Sequence, residues 1–323
     1  MKDLNEFMTT VVKELESQGR YGTAHVYQST LNATKRYWKV RQKGMIKMNK
    51  IFNPMVLRDF ERYLYENMLS MNTTSTYMRM LRAIYNRAIK RNTNLWQPGL
   101  FDTIYTGVKA ETKRALLPEH MGKLLTTIPA QQSLQQTQIW FSLLFLLRGM
   151  PFIDLARLRK CDLHGNLLIY KRQKTDRILS ITVPPEAMRL IKLIANQNAD
   201  SPYLLSILPE SQQSSLSSGF GSKKEYFTYQ AILRSFNRKL RILSQSFHLG
   251  KEISSYTARH TWATTAYQKK CVTGIICNAL GHSSVKVTET DLKAFAQKEL
   301  DYTNKMIISY VKEKAIRKEK VLI

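Results

Sequence analysis

Acidic residues are scarce in this chain: 24 Asp and Glu stand against 50 Lys and Arg in 323 residues, a formal net charge of +26. A balance this basic, spread along the sequence, is the usual footprint of a nucleic-acid binder. An anionic membrane is the rival partner, but it would require a dense basic block beside an amphipathic helix, and only the tail "VKEKAIRKEK" resembles one. Cysteine is nearly absent. Cys161, Cys271 and Cys277 form no CxxC pair and are odd in number, which argues against a disulfide framework or a zinc site and fits a reducing cytoplasm. Long apolar runs are missing too. The nearest, "IWFSLLFLLRGMPFI", is interrupted by Arg148 and reads as a buried core helix. The start "MKDLNEFMTT" carries acids and lacks a signal peptide's apolar centre. No Walker loop and no acidic cluster for two magnesium ions occurs, so neither metal nor cofactor is expected.

What is present divides into two parts, as the length suggests. Residues 1–110 read as helical. "LNEFMTTVVKELES" and "GTAHVYQSTLNATKRYWKV" carry apolar or aromatic residues at three-to-four spacing. "NPMVLRDFERYLYENM" begins with Asn53 as N-cap and Pro54 at the first helical position. In "TSTYMRMLRAIYNRAIKRN", Met78, Leu81, Ile84 and Ala88 can face a core while Arg79, Arg82, Asn86 and Lys90 turn elsewhere. With Lys35, Arg36 and Lys39 on the second helix, these side chains are the candidate DNA contacts. A linker is expected at 111–118, with Leu117-Pro118 opening a new helix.

The second part is mixed. Helices are expected near 119–127 and 132–148, then over "FIDLARLRKCDL" with Leu155 and Leu158 inward. "NLLIYKRQKTDRILSITVPP" reads as a β-hairpin and "PPEAMRLIKLIANQN" as a helix. "PESQQSSLSSGFGSKKEY" reads as a Ser/Gly-rich loop, followed by helices near 227–246, 257–269 and 272–280. The fold class is therefore mostly α with a small β-hairpin or sheet.

Three stretches of this part carry basic side chains suited to a phosphate. "SYTARHTWATTAY" puts Arg259 in the first turns of a helix, and "LGHSS" puts His282 at a helix end. "RQKTDR" puts Lys174 near a hairpin tip, with Arg172 two positions earlier and so, on a strand, on the same face. A guanidinium can clamp phosphate oxygens through parallel bonds, and an ammonium can protonate a leaving oxygen. Such a set stabilises the charge of a phosphodiester transition state without metal.

The ordered motifs "GMPFIDLARLRKCDL", "RQKTDR", "YTARHTWAT" and "LGHSSVKVTETDL" resemble the tyrosine recombinase (phage integrase) family, in its Bacteroidetes-type branch. The resemblance implies a helical core-binding domain at 1–110 and a catalytic domain at 119–302, closing as a C-shaped clamp on double-stranded DNA. It implies a 3′-phosphotyrosyl intermediate, a free 5′-hydroxyl and a homotetramer on two DNA sites. Lys174 matches the general acid, Arg259 and His282 the groups that hold the non-bridging oxygens, and Asp154 the acid that braces them. A terminal helix over 303–323, with Met306, Ile307, Tyr310 and Val311 at helical spacing, would dock on a neighbouring protomer. The four-helix block starts almost at Met1, which favours an invertase acting on short inverted core sites over an integrase with accessory arm sites.

Three positions depart from the pattern. Tyr256 stands where the family has histidine; its hydroxyl donates, but with a pKa of about 10 it is a poor proton shuttle. Pro151 stands where the first arginine falls, leaving Arg148 or Arg172 to replace it. Asp291 stands at the nucleophile position, nine residues after His282. A carboxylate there is shorter than tyrosine, is repelled by phosphate and gives a water-labile acyl phosphate, so inefficient cleavage is expected, whether the aspartate is natural or introduced to trap a complex. Two other readings compete: a non-catalytic DNA-binding paralogue, and a type IB topoisomerase.

Overall fold

The computed structural model describes residues 3–42, 44–91, 95–108, 115–209 and 220–282. Asp291 and the helix expected over 303–323 lie outside the described residues, as do positions 111–114 of the linker and 210–219 of the Ser/Gly-rich stretch.

Among the described residues, five helices build the first part: α1 (Leu4–Ser17), α2 (Tyr21–Arg41), α3 (Met48–Ile51), α4 (Pro54–Glu66) and α5 (Met71–Ile89). Local chemistry sets the starts of α1, α4 and α5. The Asp3, Asn53 and Ser70 side chains accept backbone N–H groups of Asn5, Met55 and Thr73, satisfying donors that have no partner within the helix. Along α5 the apolar stripe is buried as expected at Met78, Leu81, Ile84 and Ala88, and Arg79, Arg82, Asn86 and Lys90 are exposed. Lys35, Arg36 and Lys39 are likewise exposed on α2. One core of buried residues runs from Leu4 to Ile104.

A second core runs from Leu116 to Ala258. It is built around α6 (Pro118–Thr126) and α7 (Gln132–Leu146), the latter touching α6, α8 (Phe152–Ala156), α9 (Pro185–Ile194), α10 (Lys223–Ser246) and α11 (Ser255–Gln268). So many neighbours explain why the second half of α7, Ile139–Leu146, is apolar on nearly every side. Strands β1 (Leu163–His164), β2 (Leu167–Lys171) and β3 (Ile178–Thr182) form an antiparallel sheet in that order, with Leu168 opposite Ile181 and Lys171 opposite Ile178. Helix α12 (Thr273–Leu280) packs on α11.

Two expectations are corrected. The helix over "FIDLARLRKCDL" is only the five residues of α8: Arg159 pairs with Tyr203 in an isolated bridge, and Lys160–Asp162 form a 3₁₀ turn. Leu158 is buried all the same. Helix α10 begins at Lys223, inside the stretch read as loop, because Ser222 caps it by accepting the Glu225 N–H. The two cores meet where the start of α10 reaches α1 and α2: Lys223 pairs with Glu16 at 2.7 Å, and Tyr226 stacks on Tyr21 with ring centroids 6.3 Å apart. Among the described residues no helix is long and apolar enough to cross a membrane.

Candidate active site

The site grows around the carboxyl end of α12. Gly281 closes that helix in the left-handed conformation, φ +63°, and the turn sends the His282 N–H back to the Cys277 carbonyl at 3.0 Å. Three arginines occupy in succession the carbonyls at the helix end and of the two residues that follow it. Arg259 donates to Leu280 O at 2.7 Å, Arg172 donates to Gly281 O, and Arg177 donates to His282 O at 3.1 Å. The negative end of the helix dipole favours such cations.

Arg259 comes from α11, and Arg172 and Arg177 come from the two ends of the turn between β2 and β3. Arg259, in the second turn of α11, also donates to Gly149 O at 2.8 Å. Gly149 adopts φ +67°, and a Cβ there would lie 3.0 Å from the Arg259 Cα, so glycine is required both by conformation and by approach. Arg177 binds Asn278 Oδ1 at 2.9 Å as well. Arg172 lies beside Asp154, with Nε 3.6 Å from Oδ2, too long for a hydrogen bond but close for an ion pair. The other Asp154 oxygen accepts the Gln173 N–H at 3.0 Å. Asp154 therefore holds the first residue of the hairpin turn as well as an arginine.

Burial dominates the electrostatics. Arg172 and Arg259 are each 4 % exposed and Asp154 2 %. Burial pushes Asp154 up to about 6, against the opposing pull of the Gln173 N–H and of Arg172, Arg259 and Arg157. His282 is driven the other way, down to about 4, by burial first and then by the positive charges of Arg259, Arg172 and Lys174. The neutral imidazole is thus the form present at neutral pH, in a field set by the same three cations.

The structure brings Lys174, Arg172, Arg259, His282 and Asp154 into this one cluster, but not by the geometry expected for the first pair. Strand β2 ends at Lys171, so Arg172 and Lys174 are not alternate residues of a strand. Arg172 turns inward at the strand's edge, and Lys174 rides the turn that follows, closed by Arg172 N–H to Arg177 O at 2.8 Å and Asp176 N–H to Arg172 O at 2.9 Å. Tyr256 is half exposed at the start of α11, its ring 5.8 Å from that of His260. Arg148 adopts φ +60° and donates to Ser180 O on β3 at 3.2 Å, while its charge bears on Tyr170. Of the two substitutes for the missing first arginine, Arg172 binds the Gly281 carbonyl beside His282 and bears on its charge. Arg177 was not singled out from the sequence, although it closes the quoted "RQKTDR" turn; its carbonyl contacts become visible only once α12 is in place. Among the described residues no group of three or more His, Cys, Asp or Glu is placed to hold a metal ion.

Residues 3–98 match the family model of the phage integrase SAM-like domain. Over 95 % of the chain, the structure superposes on the Tn1549 transposon integrase solved in complex with transposon right end DNA, with a TM-score of 0.67, 16 % identity and 99 % of that chain covered. The fold is that of a tyrosine recombinase. The XerH site-specific recombinase bound to its difH substrate shares this recombinase fold over 92 % of the present chain and 83 % of its own, with a TM-score of 0.61 and 19 % identity. So does a lambda integrase tetramer bound to a Holliday junction, over 90 % and 77 %, with a TM-score of 0.61 and 15 % identity. No curated protein sequence matches the chain.

Proposed function

We propose that this chain is a site-specific DNA recombinase of the tyrosine class, acting on double-stranded DNA in the cytoplasm by inversion or integration between short inverted core sites, as a tetramer on two sites. The observation that carries the reading is the buried cluster itself: Arg259, Arg172 and His282 converge on the end of α12, with Lys174 on the adjoining turn. Such a set has no role in packing that apolar residues would not fill better. It suits an anion that arrives from outside.

The charges of the group also fit the reaction. Asp154 offsets Arg172, which leaves Arg259 and Lys174 to face a phosphodiester of one negative charge that gains a second as the attacking oxygen adds. In the proposed step the group at position 291 attacks phosphorus, the bond to the 5′-oxygen breaks, and Lys174 gives that oxygen its proton. Arg259, Arg172 and the neutral His282 hold the non-bridging oxygens, with Tyr256 as a further donor at the mouth. Lys35, Arg36, Lys39, Arg79, Arg82, Asn86 and Lys90 would bind the duplex from the first domain. With Asp291 as the attacking group, cleavage is expected to be deficient while DNA binding persists. The same features serve the second reading, a DNA-binding paralogue that never cleaves.

One experiment separates them. DNA is selected from a random-sequence library by binding to the full chain, and the Asp291→Tyr variant is then incubated with the selected duplex. A covalent adduct at a 3′-phosphate supports the recombinase reading. Tight binding without an adduct leaves the paralogue, and relaxation of any supercoiled plasmid without sequence preference would indicate a topoisomerase.

A further inference from the structure

Directly behind the lysine turn lies an ion pair that the proposed chemistry does not use. Arg157, just past α8, and Glu225, in the first turn of α10, contact each other with side chains 6 % and 7 % exposed. The face of the Arg157 guanidinium lies on the Phe220 ring, 4.6 Å from its centroid. A second nitrogen of Arg157 donates to Gln173 Oε1 at 2.7 Å. Gln173 is the residue before Lys174, and its backbone N–H is the one that Asp154 accepts. The turn is therefore gripped twice at one residue, once by main chain and once by side chain. Glu225 in turn accepts the Gly221 N–H at 2.7 Å, and its own N–H goes to the Ser222 cap, so the pair is fixed to the start of α10. That same helix start carries Lys223 and Tyr226, which meet Glu16 and Tyr21 of the first domain.

Burying two charges is expensive, and a buried pair is commonly no more stable than apolar side chains of the same volume. What apolar residues could not supply is the directed bond to Gln173. We propose that Arg157 and Glu225 are positioning residues for Lys174, fixing the hairpin turn to the start of α10, where the two domains meet. The inference rests on the reading of Lys174 as the group that protonates the leaving 5′-oxygen.

The test removes both charges together, as Arg157→Met/Glu225→Met, so that no unpaired ion is left in the core. In the Asp291→Tyr background, cleavage is compared on an ordinary duplex and on one whose scissile 5′-bridging oxygen is sulfur, a leaving group that departs without a proton. The double variant is expected to lose about ten- to a hundredfold on the ordinary duplex, the scale of a small misplacement of a catalytic group. On the sulfur duplex it should return to within about threefold of its parent, as Lys174→Ala should. An equal loss on both duplexes, or no loss on either, overturns the proposal. If Lys174→Ala itself is not rescued by sulfur, the general-acid reading fails separately. The positioning claim is then judged by amide exchange in the chain with Asp291 retained. Faster exchange across residues 171–177, with α7 and α11 unchanged, supports it, and unchanged exchange in the hairpin overturns it.

Discussion

Replacing Arg172 with methionine tests the electrostatics of the cluster through stability alone, without DNA. Methionine keeps most of the buried stem and removes the charge 3.6 Å from Asp154. In the intact protein, burial already raises Asp154 from 3.8 to about 6. A carboxyl raised on folding contributes its stability fully below its unfolded pKa and loses it as pH rises through the folded value, here between about pH 4 and 6. By pH 8 the ionised carboxylate costs about 3 kcal/mol relative to the unfolded chain. Without Arg172 the folded pKa climbs further, and the loss continues to higher pH. The added cost at pH 8 has a ceiling, because the carboxyl protonates rather than stay charged without its partner. Two pH units above a pKa of about 6 set that ceiling near ~2.7 kcal/mol. At pH 5 the carboxyl is protonated in both proteins and the electrostatic difference nearly vanishes. A pH-independent loss of about 1 kcal/mol remains, from the Gly281 carbonyl left without its donor. Urea denaturation at pH 5 and pH 8 should therefore show a larger destabilisation at the higher pH, by up to about 2.7 kcal/mol. The double variant Arg172→Met/Asp154→Asn should lose that pH dependence. A destabilisation equal at the two pH values, or a double variant as pH-dependent as the single one, would show that Arg172 does not hold the Asp154 carboxylate.

Other consequences follow from the same geometry. His282 should titrate near pH 4 in the free protein by NMR, and upward when DNA brings a phosphate beside it; a midpoint at the ordinary 6.5 in the free protein would contradict the buried cationic field. Because its folded pKa is depressed, its contribution to stability is present above about pH 6.5 and lost as pH falls toward 4. Gly149→Ala must adopt a left-handed backbone and push on the Arg259 Cα, costing about 2–3 kcal/mol; thermal unfolding unchanged from the parent would remove the close approach from the account. Arg79→Ala/Arg82→Ala should weaken DNA binding and flatten its salt dependence by a slope of about 1–2; an unaltered slope would take α5 off the duplex.

Much of the first part could be read from the chain because its helices are specified locally. The Asn53-Pro54 start and the period of Met78, Leu81, Ile84 and Ala88 are each visible within a few residues, and both hold in the structure. The start of α10 was equally local, since Ser222 and Glu225 make an S-x-x-E pattern, but the neighbouring Ser and Gly residues disguised it. Other features depend on distant partners. Arg159 leaves the helical path because it pairs with Tyr203, and Arg172 and Lys174 share a site through a turn whose shape is held by Asp154. The candidate basic residues were legible from type and order. The anchoring of Arg259 and Arg172 on the Leu280 and Gly281 carbonyls, with Arg177 on the next, and the Arg157–Glu225 pair required the tertiary arrangement.

On the proposed reading, Arg259 and Arg172 neutralise one particular phosphate. The most direct measurement uses Asp291→Tyr proteins on selected DNA in which single phosphates are replaced by uncharged methylphosphonates. Removing the phosphate's charge removes the need for an arginine, so Arg259→Ala should fail on ordinary DNA and regain cleavage only with the replacement at the scissile position. Rescue by replacements at neighbouring positions as well, or at none, would mean that Arg259 does not serve the scissile phosphate.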